Sequence, residues 1–330
     1  FHPFAENFDS RRYDWIFLLM VFVGNLRDYA TNISELLALR VSALIARVLP
    51  ARALTLFGSL MGWLCSSVFR IRFLEVENHL TIAFPEKGFQ WKRRIAKESY
   101  KHLSREALFF LRCSKVSGQD LGKDVRVEGF DLLQKSVQQG SGVMIVSGHL
   151  GNWEIGAAAL AAKGITIDVV VQNQRNPFVD MYLKDLRERM GLGVIMESEG
   201  PYPILKSLRS GRVVAWLGDQ NPAKTSVVVD FFGVSSRTAR DSVLLTLRAG
   251  SALFFASSIV LCESKRKYRV DLEEISHQEQ QNPEELVGQL TEAHTKLLEA
   301  AIRRTPDQYL WQHRRWKNRD RWLRKGANFC

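Results

Sequence analysis

Cysteine is scarce in this chain of 330 residues: four are present, at positions 65, 113, 262 and 330. Their spacing matches neither a disulfide framework nor a zinc motif. The chain also lacks an H-E-x-x-H pair, and its seven histidines do not cluster in sequence. We therefore expect a protein of a reducing compartment that needs no disulfide and binds no metal.

Long apolar runs are also missing. The apolar run Trp15–Gly24 is shorter than the roughly 20 residues that cross a bilayer, and the uncharged stretch Ala53–Phe69 lies at the lower edge of that length. We interpret Ala53–Phe69 as one arm of a helical hairpin with Leu36–Leu49, in which Gly58 and Gly62 let two backbones approach and one face touches lipid. The chain starts with Phe rather than Met, so we expect its native start to lie upstream.

Acidic residues are outnumbered by basic ones, which gives a formal net charge of +11. A composition of 46% hydrophobic and 25% charged residues is that of a globular protein with a large core. The excess positive charge predicts an anionic partner, and nucleic acid, an anionic membrane surface and an acidic carrier protein all fit it.

The most informative stretch is 142–164. Val143–Val146 is a short β-branched run typical of a buried strand, and the Ala-rich segment that ends at Gly164 predicts a helix. His149 lies between them, at the kind of junction where α/β sheets expose their strand ends. Glu154 follows five residues later, and we expect it to bend back, fix the tautomer of the imidazole and stabilise the imidazolium.

No nucleophile of the protein itself is evident near His149. Ser147 lacks the flanking glycines of a G-x-S-x-G elbow. We therefore expect His149 to act as a general base on a hydroxyl that the substrate brings. For an arbitrary H-x4-E spacing a surface pair beside a tight turn is the more frequent explanation, but the strand, loop and helix around this one favour a site.

The block S-G-H-L-G-N-W-E resembles the H-x4-E signature of the bacterial lipid A late acyltransferases, which belong to the lysophospholipid acyltransferase superfamily. Four further blocks are similar to that family and follow in its order; they are Arg175-Asn176-Pro177, Gly218-Asp219-Gln220, Phe231-Phe232-Gly233 and the stretch 306–317 that includes Gln308-Tyr309, His313, Arg314 and Arg315. One departure is His79, which stands where the family usually has Asn.

The resemblance implies an α/β fold with a mixed, largely parallel central sheet flanked by helices, and a hairpin over 36–70 at the N-terminal side. The expected segments are a membrane-proximal 1–34, an acyltransferase domain over 35–320 and a C-terminal tail over 321–330. The resemblance also implies that His149 and Glu154 are the catalytic dyad. The residues expected to bind the oxyanion or the acceptor are Gly151, Asn152, Arg175, Asn176, Asp219 and Gln220.

The implied reaction moves an acyl chain from an acyl carrier protein thioester, or from acyl-CoA, to a hydroxyl of a Kdo-bearing lipid A precursor at the cytoplasmic face of the inner membrane. Arg237, Arg240, Arg314 and Arg315 are expected to contact phosphates or the membrane, and no nucleic-acid partner is expected. Two alternatives stay open: an acceptor such as a phosphatidylinositol mannoside, whose acyltransferases often have Asp in place of Glu154, and a non-catalytic basic protein that binds membrane or nucleic acid.

Overall fold

A computed structural model describes residues 10–113, 125–220, 225–262, 267–276 and 282–316. The expected C-terminal tail over 321–330 lies outside these residues. The fold is mixed α/β, with helices on both sides of a central sheet, and it confirms the predicted fold class.

Seven strands form the central sheet in the order β1-β9-β8-β2-β5-β3-β4, and β6 and β7 form a separate hairpin. The strands are β1 (Val125–Glu128), β2 (Val143–Ser147), β3 (Ile167–Val171), β4 (Gly193–Met196), β5 (Val213–Leu217), β6 (Val227–Phe231), β7 (Val234–Thr238), β8 (Ala252–Cys262) and β9 (Lys267–Glu274). Every pair in the sheet is parallel except β8 with β9. The five strands from β8 to β4 therefore present their carboxyl ends at one edge.

The α-helices are α1 (Ser10–Val48), α2 (Ala51–Trp63), α3 (Phe73–Ala83), α4 (Phe89–Arg112), α5 (Phe130–Gln138), α6 (Trp153–Ala162), α7 (Pro177–Arg189), α8 (Pro201–Arg209), α9 (Asp241–Ala249) and α10 (Pro283–Arg304). A π-helical turn over Leu64–Val68 continues α2. Asn176 caps α7 by accepting hydrogen bonds from the N–H groups of Phe178 and Val179, and Pro177 follows it at the first helical position.

The central strands are buried on both faces, which is what a parallel sheet covered by helices requires. In β2 the side chains from Val143 to Val146 are no more than 2% exposed. The uncharged sequence of β2 is thus explained by its place in the middle of the sheet, between β5 and β8.

The N-terminal helices are present, but the close backbone approach differs from the expected one. A Cβ added at Gly58 would lie 2.9 Å from Cα of Arg105, and one added at Gly62 would lie 2.4 Å from Cα of Lys101. Both of these neighbours belong to α4. The glycines therefore let α2 pack against α4, not against α1, because α4 is the long amphipathic helix that covers the core at this point.

Among the described residues, no single helix has the length and apolar character of a membrane span. The segments Ala51–Val68 and Phe73–Ala83 reach that length and composition only together, and they are bent by 92° relative to each other.

The β6–β7 hairpin carries Arg237, one of the four arginines expected to contact phosphates or the membrane. Phe232 and Gly233 form its two-residue turn, both with positive φ (57° and 70°). This left-handed pair is the backbone of a tight hairpin turn, for which glycine at the second position is favourable. Arg237 lies in β7, and Arg240 comes just before α9.

Candidate active site

The loop from Gly148 to Asn152 carries His149 from the end of β2 to the start of α6. Gly151 has a φ of +64°, and a Cβ there would come within 1.7 Å of the carbonyl oxygen of Ser258. Asn152 caps α6 by accepting a hydrogen bond from the N–H of Ile155, and its amide donates to Glu106 in α4 at 2.8 Å. The loop is therefore fixed by the adjacent strand β8, by α4 and by its own helix cap.

The C-terminal segment binds the same loop from the other side. The N–H of Leu310 donates to the carbonyl oxygen of His149 at 3.0 Å, and the N–H of Gly151 donates to that of Gln308 at 2.9 Å. His79 in α3 in turn contacts the carbonyl oxygen of Trp311 through Nδ1 at 2.8 Å. The departure at His79 is thus part of the contact that holds the C-terminal segment, and it lies outside the site.

Asp219 is the carboxylate that binds the imidazole of His149. Its Oδ1 lies 2.7 Å from His149 Nδ1, and its Oδ2 accepts the backbone N–H of His149 at 2.9 Å. Asp219 follows β5, which pairs in parallel with β2, so the two strand ends bring these residues together although they are 70 positions apart. This geometry fixes the ring and, with an ionised carboxylate, places the proton of a neutral imidazole on Nδ1.

The carboxyl of Asp219 is almost completely buried. Burial alone would raise its pKa, but the charge of His149, the hydrogen bonds from His149 and the charge of Arg315 together lower the pKa of Asp219 to about 2. Asp219 is therefore ionised at neutral pH and can compensate the positive charge that His149 acquires when it takes up a proton.

The other ring nitrogen of His149 faces a cavity. The side-chain nitrogen of Gln220 lies 3.2 Å from His149 Nε2, and the indole of Trp153 packs edge-on against the imidazole with 4.8 Å between ring centroids. With the ring proton on Nδ1, Nε2 can accept a hydrogen bond from this amide. Nε2 is thus the atom that a hydroxyl of a substrate would approach.

Glu154 does not contact His149, contrary to the prediction from the sequence. Its carboxylate instead accepts hydrogen bonds from Nε and Nη2 of Arg187, with distances of 2.6 to 3.1 Å. The reason is that Glu154 lies in the first turn of α6, where its side chain reaches α7 more easily than the loop behind it. The guanidinium of Arg187 also lies 5.7 Å from the ring centroid of Phe110.

An apolar cavity of about 320 Å³ opens beside His149 and runs between α6 and the sheet. His149, Trp153, Gln220 and the Glu154–Arg187 pair belong to its wall. The apolar part of the wall comes from strands and from one face of α6; it comprises Ile145, Ala157, Leu160, Ile167, Val169, Val170, Val171, Ala215, Leu217, Ala256 and Val270. A site of this size and lining suits an apolar ligand that is fixed at one end by a few polar groups.

Several residues expected to bind the oxyanion or the acceptor are engaged elsewhere. The N–H of Gly151 donates to Gln308 and that of Asn152 to Ser258, so neither is available to an oxyanion, contrary to prediction. Asn176 uses its oxygen for the cap of α7 and its nitrogen for Asn32 and Glu35 of α1, which also excludes it from the site. These groups satisfy the backbone of the sharp turns that surround the site.

Arg175, Gln220 and Asp219 complete the set of residues expected to bind the oxyanion or the acceptor. Arg175 is exposed to solvent and is not among the residues that line the cavity, so its role stays a prediction. Gln220 does line the cavity, next to Nε2 of His149, and its role in acceptor or oxyanion binding also stays a prediction. Asp219 is an anion bound to Nδ1, so it cannot stabilise an oxyanion and its expected role is corrected.

Of the four arginines expected to contact phosphates or the membrane, one is buried and three are at least partly exposed. Arg315 is buried, with its Nη1 and Nη2 donating to the carbonyl oxygen of Arg237 and to Oγ1 of Thr238, so it cannot reach a phosphate at the surface and the prediction for it is wrong. Arg240 pairs with Glu284, and Arg237 donates to Ser226. Arg314 is half exposed and 3.4 Å from Glu75, so its predicted contact remains open.

An imidazole oriented by a buried carboxylate, beside an apolar cavity, is an arrangement that can remove a proton from a bound molecule. It lies at the edge of the sheet where β2 and β5 end.

The chain belongs to the bacterial lipid A biosynthesis acyltransferase family. The model of this family, described as "Bacterial lipid A biosynthesis acyltransferase", matches residues 31–318. It is 24% identical to the lipid A biosynthesis palmitoleoyltransferase of Escherichia coli K12 and 23% identical to the lipid A biosynthesis lauroyltransferase of the same strain. Each match covers 82% of this chain and 87% of the relative.

A second group of relatives is matched over a shorter region. The chain is 28% identical to the phosphatidylinositol mannoside acyltransferase of Mycobacterium tuberculosis over 162 residues, which is 47% of this chain. It spans 50% of the length of that relative. Family membership supports an acyltransferase, and the two groups of relatives differ in the acceptor that their names give.

Proposed function

We propose that this protein transfers a fatty acyl chain from a thioester to a hydroxyl of a membrane glycolipid, with His149 as general base and Asp219 as its partner. The observation that carries the proposal is the His149–Asp219 pair at the mouth of an apolar cavity. The pair supplies the base, and the cavity accepts the chain to be transferred.

In the proposed step Nε2 of His149 removes the proton of the acceptor hydroxyl while its oxygen attacks the thioester carbonyl. The C–O bond forms and the C–S bond breaks, and the imidazolium then returns the proton to the sulfur. A thiol leaves readily because its pKa is about 8.5, so a single base serves both halves of the reaction. The amide of Gln220, 3.2 Å from Nε2, would give way to the incoming hydroxyl.

The oxyanion of the intermediate needs donors other than Gly151 and Asn152. The first N–H groups of a helix have no partner within the helix and attract negative charge. Here the first two helical residues of α6, Trp153 and Glu154, belong to the wall of the cavity beside His149. We therefore assign the oxyanion to this helix terminus, with the side chain of Gln220 as a second donor.

The acyl donor is proposed to be an acyl carrier protein thioester, with acyl-CoA as the alternative, and no bound cofactor takes part. The acceptor is proposed to be a Kdo-bearing lipid A precursor, because the matches to the two Escherichia coli enzymes extend over most of both chains. Both reactants are anionic, which suits a net charge of +11. A phosphatidylinositol mannoside is the second candidate, and the 28% identity to the mycobacterial acyltransferase supports it.

We propose that the protein works at the cytoplasmic face of the inner membrane and binds it through its N-terminal helices. Most of the exposed large hydrophobic side chains in the described residues lie between Tyr29 and Leu74. On α2 they recur at helical spacing, at Leu56, Leu60 and Trp63, and beyond it Phe69 and Leu74 are each about two-thirds exposed. A soluble surface rarely keeps so many apolar side chains together.

Two arginines lie beside this apolar surface. Arg70 and Arg72 both adopt positive φ, 48° and 53°, in the bend between the π-helical turn and α3. Apolar side chains at the bilayer surface with arginines beside them fit the acyl and phosphate layers of an anionic membrane. The inner face of α3, including Val76 and Leu80, is buried in the core, so the bend would enter the membrane only shallowly.

Vesicle binding tests the membrane surface separately from the chemistry. In sedimentation with vesicles of phosphatidylcholine and phosphatidylglycerol, Phe69→Ser with Leu74→Ser should weaken binding at least about tenfold, since each side chain contributes roughly 1 to 2 kcal/mol when buried. Tyr202→Ser with Met181→Ser, equally exposed on other helices, is the matched control. Equal losses in both double variants would contradict the assigned surface.

The reaction itself is tested with a labelled acyl carrier protein thioester and each candidate acceptor in detergent. Wild-type protein should transfer label to lipid, and His149→Gln should lose on the order of 10² to 10⁴ in rate. Failure of the wild type to transfer to any lipid, with steeply salt-dependent binding to nucleic acid instead, would favour the non-catalytic alternative.

A further inference from the structure

The C-terminal segment, residues 308–314, lies between the loop that carries His149 and the surface proposed to bind the membrane. Toward the loop, the N–H of Leu310 donates to the carbonyl oxygen of His149 at 3.0 Å, and the N–H of Gly151 donates to that of Gln308 at 2.9 Å. These bonds make a short antiparallel bridge beside the imidazole. The position of the loop therefore depends on where this segment lies.

Helix α3 and the residue before it hold the C-terminal segment from the other side. Nδ1 of the buried His79 donates to the carbonyl oxygen of Trp311 at 2.8 Å. Nη1 of Arg72, which immediately precedes α3, donates to the carbonyl oxygen of Gln312 at 3.3 Å. Two successive carbonyl groups of the segment are thus bound from the membrane-facing part of the fold.

The bend before α3, residues 69–74, has a fixed backbone and exposed side chains. Arg70 and Arg72 both have positive φ, a conformation that residues with a Cβ rarely adopt. The hydroxyl of Tyr100 in α4 donates to the carbonyl oxygen of Ile71 and so ties the bend to the core. More than half of each large apolar side chain remains exposed at Phe69, Ile71 and Leu74. The bend is therefore held in one shape while its apolar side chains stay in contact with solvent.

We propose that the C-terminal segment couples this bend to the loop that carries His149, so that a bilayer bound at the bend holds the loop closed. The inference rests on the membrane surface proposed above. If the loop opens only when the segment leaves α3 and the bend, whatever binds the bend in its closed form also opposes opening of the loop. The loop carries the proposed base, so the site would be best ordered at the membrane, where the lipid acceptor is.

Hydrogen exchange of two backbone amides measures this coupling without any acyl transfer. The amides of Gly151 and Leu310 form the bonds between loop and segment, and mass spectrometry follows the peptides that contain them with and without vesicles of phosphatidylcholine and phosphatidylglycerol. With lipid at about ten times its dissociation constant, exchange in the wild type should slow several-fold, toward the limit of about tenfold that linkage sets. Helix α8, which packs against α9 and β5, should keep its rate.

Arg72→Gln and Arg70→Gln are a matched pair, because both arginines lie in the bend with positive φ and each variant loses one charge. Arg70 lies over the ring of Phe73, 5.9 Å from its centroid, whereas Arg72 binds the C-terminal segment. At equal binding to vesicles, checked by sedimentation, Arg70→Gln should keep the slowing and Arg72→Gln should reduce it at least about twofold. Equal slowing in the two variants would overturn the proposal.

His79 gives a second test at a buried contact. His79→Leu removes the donor to Trp311 and should abolish the slowing, whereas His79→Asn should keep it, because its amide nitrogen takes about the place of Nδ1. A purely structural role would change exchange equally with and without vesicles. If His79→Leu is too unstable to purify, the arginine pair decides the question.

The wild type separates failure of this inference from failure of the proposed function. Protein that sediments with vesicles and shows no slowing at Gly151 and Leu310 refutes the coupling alone. Protein that does not sediment refutes the membrane surface, and the coupling with it.

Discussion

Asp219→Asn is the substitution whose effect follows most directly from the geometry of the site. The carboxylate receives two donors from one residue, the backbone N–H of His149 at 2.9 Å and its Nδ1 at 2.7 Å. An amide offers one acceptor and one donor. The backbone N–H cannot change its role, so the amide oxygen must turn to it and the NH₂ group must face Nδ1.

The consequence is a wrong tautomer. With a donor opposite Nδ1, the ring proton moves to Nε2, and Nε2 can no longer accept the proton of a hydroxyl. The variant also loses the charge that stabilises the imidazolium. We expect kcat/KM to fall by about 10³ to 10⁴, which corresponds to roughly 4 to 5.5 kcal/mol of transition-state stabilisation.

The assay compares purified Asp219→Asn, Asp168→Asn and Glu154→Gln proteins with the wild type in the labelled acyl-transfer reaction at one pH. Asp219→Asn should show the full loss. Asp168→Asn is the matched control, because Asp168 is also buried and binds Arg212 and Ser207, which do not line the cavity. It should lower stability and leave kcat within a few-fold of wild type.

Glu154→Gln distinguishes the roles of the two carboxylates near His149, those of Glu154 and Asp219. It leaves Arg187 in the cavity wall without its charged partner, so we expect lower stability and a higher KM with a smaller loss of kcat than for Asp219→Asn. If Glu154→Gln lost 10³ in kcat while Asp219→Asn stayed within tenfold of wild type, the assignment of Asp219 as partner of the base would be refuted.

Three further outcomes can be measured. Gly151→Ala should destabilise the fold by at least about 2 kcal/mol in chemical denaturation, because φ is +64° and its Cβ would meet the carbonyl oxygen of Ser258. Ala157→Leu should move the preference toward shorter acyl chains in competition assays, because Ala157 lines the cavity. His294 has a pKa of about 4 in the fold against 6.5 when unfolded, so the unfolded chain binds a proton that the folded chain does not, and stability falls as pH drops from 6.5 to 4. His294→Gln should therefore remove about 3 kcal/mol of this decline when melting is compared across that range.

The fold was largely predictable because the sequences of its central strands are clearly apolar. β2 and β5 are short apolar runs followed by glycine and a polar residue, and the helix after β2 is rich in alanine and ends near a glycine. Such patterns identify buried parallel strands and the helices between them. The β6–β7 hairpin was not predicted, because its turn, Phe232-Gly233, has none of the polar residues that usually mark a hairpin.

The partners of the N-terminal helices could not be predicted, since a G-x-x-x-G spacing shows that a backbone comes close without showing which one. Gly58 and Gly62 meet Arg105 and Lys101, residues of a charged helix that nothing in α2 identifies. The burial of Arg315 could not be predicted for a related reason. A basic residue in a basic, aromatic segment suggests a surface, and only the packing of β7 and Phe231 around it reveals a buried charge.

The two carboxylates near His149 show where sequence reasoning about a site fails. Glu154 is close to His149 along the chain, and that closeness suggested contact, but the residues between them turn from a loop into a helix and carry the glutamate toward α7. Asp219 is 70 positions away, yet β2 and β5 are parallel neighbours in register from Val143 with Val213 to Ser147 with Leu217. Residues two places beyond the last pair, His149 and Asp219, are therefore side by side. Strand order was the missing information, because once β5 is placed next to β2 the carboxylate that binds His149 follows by counting.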